Sequence, residues 1–392
     1  MQTQAGGPGA FANFDLNRVE SPAFVVDAAK LRANCQMLAE IRDEADIKVL
    51  CALKAFSMHA VAPLIGEYLD GSCASGLWEA RLASEYYDGE ISTYSPAYKP
   101  NELEEICRLS DHVIFNSPTQ IGRARLILEN AKLMGGHVSV GLRLNPMVPT
   151  GEVERYDPSA PGSRLGFPID QLTEEDMEGV EGIHFHNLCE QDFEPLQATW
   201  DKVFDAIEPW FGQLKWINMG GGHHITRADY QREELIEFLK DAKEDTGAEI
   251  YLEPGEAVAL GAGILTGTIL DTGFNEVPFG ITDVSATCHM PDVLEAPYRP
   301  AMLGEEPSRD KPAIRLGGPS CLAGDVIGDY HLPVPPEPGQ RFAFLDQAHY
   351  SMVKTNTFNG VPLPSIYLWD SETDALELVK SFEYADFRDR LG

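Results

Sequence analysis

From Lys48 onward the chain alternates short apolar, β-rich runs with longer stretches whose apolar residues recur at helical spacing. Eight runs stand out: KVLCALKAF, GSCASG, EISTYSP, HVIFNS, HVSVGLRLNP, GIHFHNL, WINMGGG and EIYLEPGE. Between them, segments such as HAVAPLIGEYLD, LWEARLASEYY and NELEEICRLS read as helices. This alternation predicts an α/β fold, a parallel (β/α)8 TIM barrel over residues 29–263. Beyond residue 264 the texture changes to strands punctuated by Pro and Gly (GTILDTGF, AIRLGGPSC, RFAFLDQ, SIYLWD), which predicts a C-terminal antiparallel β domain. The early run FVVDA is expected to join it, so that residues 1–28 and 264–392 form one discontinuous domain. The stretch PMVPTGEVERYDPSAPG, residues 146–162, is too rich in Pro, Gly and charge for regular structure. Leaving the C-terminal end of a strand, it is either a lid or plain disorder.

Composition narrows the setting. Seven cysteines (35, 51, 73, 107, 189, 288 and 321) show neither CxxC nor Cys/His metal spacing, which predicts free thiols and no metal site. No run of about 18 uncharged apolar residues occurs, and MQTQAGGPGAFANFD lacks the basic-then-apolar order of a signal peptide, so a soluble cytoplasmic protein is expected. A net charge of -32, from 62 acidic and 30 basic residues, disfavours nucleic acid and anionic membranes as partners and steers cations inward. A solvated acidic surface accounts for the same excess.

Barrel enzymes keep their chemistry at the C-terminal ends of the strands. There the chain offers Lys54 after the first strand, Arg143 and Asn145 after the fifth, His186 after the sixth, Gly220, Gly221 and Gly222 after the seventh, and Glu253 after the eighth. Lys54 interrupts an apolar run. It is either a lysine whose stem packs while its head reaches solvent, or one used chemically as a Schiff-base amine. Pyridoxal 5'-phosphate asks for an amine, donors for its phosphate, an acid for its ring nitrogen and a flat partner for its ring face. Lys54, the glycine turn, Glu253 and His186 supply one candidate each, although three glycines after a strand also make an ordinary tight turn.

The ordered set ALKAF, HFHN, MGGG, LEPGE, GGPSCLAGD and DQAHYSMVKTNTFNG resembles the fold-type III pyridoxal-phosphate decarboxylases of ornithine, arginine and diaminopimelate, and most nearly their carboxynorspermidine/carboxyspermidine decarboxylase branch. The resemblance spans nearly the whole chain. It implies a homodimer with shared active sites, in which Lys54 forms the Schiff base, His186 stacks on the ring, Gly220 to Gly222 and Tyr350 hold the phosphate, and Glu253 faces the pyridine nitrogen. Arg143 joins the cofactor shell. Cys321, with Asp325 nearby, is implied to cross the dimer interface and return a proton after carbon dioxide leaves. Four positions depart from the wider pattern: Glu256 replaces the arginine usual after EPG, Leu322 and Ser72 replace acids, and Cys189 replaces a phosphate-binding serine. Glu256, Asp292 and Asp325 are expected to bind substrate, the first two attracting ammonium groups, which suits a carboxylated triamine and disfavours a diacid. Other decarboxylases of the same fold, and a non-catalytic regulatory relative, are the alternatives.

Overall fold

A computed structural model describes residues 6–133, 138–151, 153–305, 313–332 and 336–392. Its strands, in chain order, are β1 (Ala23–Asp27), β2 (Lys48–Ala52), β3 (Gly71–Ala74), β4 (Glu90–Tyr94), β5 (His112–Phe115), β6 (Ser139–Asn145), β7 (Phe167–Pro168), β8 (Gly182–His184), β9 (Trp216–Asn218), β10 (Glu249–Leu252), β11 (Gly263–Asn275), β12 (Val277–Thr282), β13 (Ile314–Gly317), β14 (Val326–Tyr330), β15 (Arg341–Leu345), β16 (Ser365–Asp370) and β17 (Ala375–Lys380). They divide between two compact units, residues 34–258 and the remainder. The boundary falls inside the helix Ala28–Ala45.

In residues 34–258, the neighbours run β5-β4-β3-β2-β10-β9-β8-β6, and β6 returns to β5 to close an eight-stranded barrel. All these pairings are parallel. The strands are near-continuous buried runs because a parallel strand is covered on both faces; every residue of β6 is buried. Helices Leu77–Tyr86, Pro100–Leu109 and Pro118–Leu133 pack outside, and Leu77, Leu103, Ile106, Ala124 and Leu128 meet Val113, Phe115 and Val140. The helix Arg232–Thr246 buries Leu235, Leu239 and Ala242, one face at helical period, and stops at Gly247 (φ 67°), whose N–H donates to Lys243 O.

Inside the barrel, side chains two residues apart on a strand occupy successive layers. The lower layer is apolar: Leu50, Ile114, Trp216 and Tyr251 form one buried cluster. Trp216 is its plug, stacked on His112 with ring centroids 4.5 Å apart and donating from Nε1 to Ser139 Oγ at 2.8 Å. Two glycines make room for the indole, since a Cβ would fall 2.4 Å from the Trp216 ring at Gly141 and 2.0 Å from it at Gly182. Two residues further along the same strands stand Arg143, His184, Asn218 and Glu253, so the upper layer is polar.

The second unit is a mainly antiparallel sheet ordered β14-β13-β12-β11-β1-β16-β17, with β15 also on β11. β1 pairs antiparallel with β11 and parallel with β16, which draws the N-terminal run FVVDA into this sheet. Its core includes Phe14, Val25, Ile264, Leu345, Tyr367 and Trp369. Strands β12, β14 and β17 gave no clear signal in the sequence. β12 is interrupted by Pro278 and Gly280, and β17 is a largely exposed, charged edge.

Among the described residues of 146–162, the chain is tied down at several points, and Glu154–Tyr156 forms a 3-10 turn. Asp157 accepts from the amides of Gly151 and Ser159, both at 2.7 Å, while Gln191 donates to Thr150 O at 2.6 Å and Asn187 to Val148 O at 3.2 Å. That turn apart, the described residues carry no helix or strand, as the composition suggested, and one buried aspartate organises the loop on itself. Among the described residues no helix is long and apolar enough to cross a membrane.

Candidate active site

Lys54 lies two residues past the end of β2, on a turn closed by Ala55 N–H and Phe56 N–H donating to Ala52 O at 3.1 and 3.3 Å. Leu53, Ala55 and Phe56 are fully buried, and Lys54 alone in ALKAF opens to the barrel mouth. Its Nζ is 3.4 Å from His186 Nε2. Although solvent reaches the side chain, the surrounding wall desolvates the ammonium and lowers its pKa. Arg143 pushes in the same direction, and Cys73 and Glu253 oppose it only in part. An amine so shifted gives up its proton more readily than an ordinary lysine, as a nucleophile requires.

His186 receives Gly221 N–H at Nδ1, 3.1 Å away, so the neutral ring carries its proton on Nε2, facing Lys54. Burial holds its pKa well below the ordinary histidine value, and the charges of Lys54 and Arg143 add to the effect. Glu253 is fixed at both oxygens: Asn218 Nδ2 donates to Oε1 at 2.7 Å, and His184 Nε2 lies 3.3 Å from Oε2. Burial alone would raise the carboxyl's pKa, yet His184, Asn218 and Lys54 together outweigh it and leave Glu253 below its usual range. Asn218 also accepts Gly220 N–H at Oδ1, 2.9 Å away, and so joins the glutamate to the glycine turn. His184 stacks on Tyr94 with centroids 5.5 Å apart, and the Arg143 guanidinium lies 4.5 Å from the same Tyr94 ring. Arg143 Nη2 donates to His186 O at 2.9 Å; its buried Nε and His184 Nδ1 have no hydrogen-bond partner among the described residues.

The glycine turn has a packing requirement of its own. A Cβ on Gly221 would stand 2.1 Å from Glu253 O and one on Gly222 2.1 Å from Leu188 O, with φ at +90° for Gly222. Two of the three amides, those of Gly220 and Gly221, already donate within the protein. Glu256 opens the short helix after Gly255 and lies 3.4 Å from His224 Nε2.

Residues 34–258 thus bring together Lys54, Arg143, His186, Gly220 to Gly222 and Glu253. Cys321, Asp325, Asp292 and Tyr350 belong to the other unit. There Cys321 is exposed on a loop and its N–H donates to Asn359 Oδ1 at 3.0 Å. Asp325 is 4% exposed and holds that loop, accepting from Ser285 Oγ, Ser320 Oγ and Thr287 N–H at 2.9, 2.7 and 3.2 Å. Its carboxylate is engaged as a brace. Asp292 accepts from Lys354 Nζ at both oxygens, 2.6 and 2.8 Å away. Tyr350 has φ +49°, a rare conformation for a bulky residue and one that a functional constraint commonly holds.

Sequence reasoning missed His184, Asn218, Tyr94 and His224. The first two stand two residues before His186 and Gly220, so inward alternation along β8 and β9 could have found them. Among the described residues no group of three or more His, Cys, Asp or Glu side chains could hold a metal ion.

A closed barrel presenting a lysine, a histidine, a glycine turn and an anchored glutamate, in a chain that also folds a mainly antiparallel β unit, is the architecture of fold-type III decarboxylases. No protein-family model matches the chain. The crystal structure of carboxynorspermidine decarboxylase from Campylobacter jejuni, complexed with norspermidine, superposes with a TM-score of 0.86 at 38% identity, over 95% of this chain and 100% of that one. The fold is also shared with diaminopimelate decarboxylase of Helicobacter pylori at a TM-score of 0.82 and 18% identity, over 96% and 97% of the two chains. In sequence, the carboxynorspermidine/carboxyspermidine decarboxylase of Campylobacter jejuni is 38% identical across 94% of this chain and 98% of its own length. The carboxyaminopropylagmatine decarboxylase of Synechocystis is also 38% identical, across 96% and 97%. The chain belongs to the carboxynorspermidine/carboxyspermidine decarboxylase family.

Proposed function

We propose that this chain is a pyridoxal-phosphate-dependent lyase that decarboxylates carboxynorspermidine or carboxyspermidine to norspermidine or spermidine, working as a homodimer. The observation that carries the reading is the pairing of Lys54, its pKa lowered and its Nζ 3.4 Å from His186 Nε2, with a carboxylate held ionised by His184 and Asn218. The residues fit the cofactor. Lys54 offers the amine, His186 a flat ring, Glu253 the negative charge that keeps a pyridine nitrogen protonated, and Arg143 Nε a buried donor without a partner. When bound, pyridoxal phosphate supplies an aldehyde for an amine and a ring that accepts the electron pair left by the departing carboxylate. Arg143 and Tyr94 keep His184 in place, and His184 keeps Glu253 turned inward. We assign Cys321, delivered by the second subunit, to protonating the product, and Asp292 to the substrate's distal ammonium, which would exchange for Lys354.

The test is carbon dioxide release on carboxynorspermidine, carboxyspermidine, carboxyaminopropylagmatine, diaminopimelate and ornithine side by side. Turnover should concentrate on the first two and vanish in Lys54→Ala together with the yellow absorbance of the bound cofactor. Full activity in Lys54→Ala, or a clear preference for diaminopimelate, would end the assignment.

A further inference from the structure

A phosphate bound beside this glycine turn needs positive charge, and the turn itself has little left to give. The amides of Gly220 and Gly221 are engaged within the protein, and the arginine usual after EPG is replaced by Glu256. Two residues beyond Gly222 stands His224, only 6% exposed. It is laced to the turn through the main chain, since its N–H donates to Gln191 O at 3.0 Å and Gln191 N–H donates to Gly222 O at 3.1 Å. His224 Nε2 lies 3.4 Å from Glu256 Oε1, at ion-pair range, and neither ring nitrogen meets a hydrogen-bond partner among the described residues. A buried imidazole with a carboxylate at one nitrogen and nothing at the other is half of an unfinished interaction.

We propose that His224, anchored by Glu256, is the cationic group that contacts the cofactor's phosphate, taking over the part of the missing arginine. The proposal rests on the functional reading above and assigns Glu256 to the cofactor's end of the site instead of the substrate's ammonium groups. The charges around the ring agree. Burial opposes the imidazolium and Arg227 repels it, but Glu256 and Glu190 outweigh both and set its pKa above the ordinary histidine value. The adjacent His223 ring is held neutral by burial, with its pKa down at about 3, so it adds no competing positive charge.

The experiment compares two probes on the full-length apoprotein by fluorescence titration: pyridoxal phosphate, and pyridoxal, which lacks the phosphate. His224→Gln should weaken pyridoxal phosphate by roughly 10- to 100-fold, the range of one charge-assisted contact, while leaving pyridoxal within about twofold. His224→Arg should restore much of the loss, and Glu256→Gln should weaken pyridoxal phosphate in the same direction by a smaller factor. Retained pyridoxal binding shows that each variant is folded. Equal losses for both probes, or a Glu256→Gln variant with unchanged cofactor affinity and a raised KM for substrate, would overturn the proposal. A wild-type protein that binds neither probe would remove the functional reading itself.

Discussion

Removing the Asn218 amide is the sharpest probe of the upper barrel layer. The residue is fully buried, donates to Glu253 Oε1 at 2.7 Å and accepts Gly220 N–H at 2.9 Å. In Asn218→Ala the carboxylate loses one charge-assisted hydrogen bond, worth about 1.5 to 3 kcal/mol. If that bond serves to keep Glu253 ionised and aimed, its loss appears in kcat as a fall of roughly 10- to 150-fold, at 1.36 kcal/mol per decade. KM should stay within about twofold, because Asn218 is assigned no contact with substrate. The assay is a double-mutant cycle with Glu253→Gln, following steady-state decarboxylation and the absorbance of the bound cofactor. Once the carboxylate is gone, Asn218→Ala should cost little more. An equal drop in both backgrounds would show that Asn218 acts by shaping the glycine turn, and the account of Glu253 would be refuted.

The remaining expectations concern packing, pH and substrate. Gly182→Ala puts a methyl 2.0 Å from the Trp216 ring, so melting followed by circular dichroism should show a lowered Tm, corresponding to about 1 to 3 kcal/mol of overpacking; an unchanged Tm would mean the plug is not tight. Burial depresses His112, His184 and His186, and brings His289 to about 4. These bases protonate more readily unfolded than folded, so stability should be lost as pH falls below the ordinary histidine value of 6.5. Glu253, whose folded pKa is depressed, adds to that loss only below its ordinary 4.5. Urea midpoints between pH 8 and pH 5 check this, and a flat profile would contradict it. Asp292→Asn should raise KM by about tenfold and Lys354→Met should lower it if the substrate's ammonium competes with Lys354. Unmoved KM in both variants would exclude Asp292 from recognition.

Much of the fold could be read from the chain because a covered parallel strand must be apolar along its whole length. KVLCALKAF and HVSVGLRLNP carry that signature without help from their neighbours. The edge strand Ala375–Lys380 has only one face to satisfy, and its ALELVK sequence is correspondingly quiet. The candidate site was legible where a polar residue interrupts a strand end, as at Lys54 and Glu253. It was silent about partnership. Nothing in EPGE announces that Glu256 faces His224, and nothing in CHMPD announces that Asp292 holds Lys354, since both pairings join residues distant in sequence. The glycines of MGGG were visible as a turn, but their close approach to Glu253 O and Leu188 O depends on three strands meeting.

The indole of Trp216 makes the barrel a blind well. With the floor sealed by an aromatic ring and two glycines shaped around it, whatever reaches Lys54 must depart by the route it entered. Substrate, amine product and released gas are therefore expected to come and go on the Lys54 side of the barrel, and each turnover has to clear that side before the next. An enzyme so built is expected to be held back by its own product, which makes exit as much a target for selection as bond cleavage.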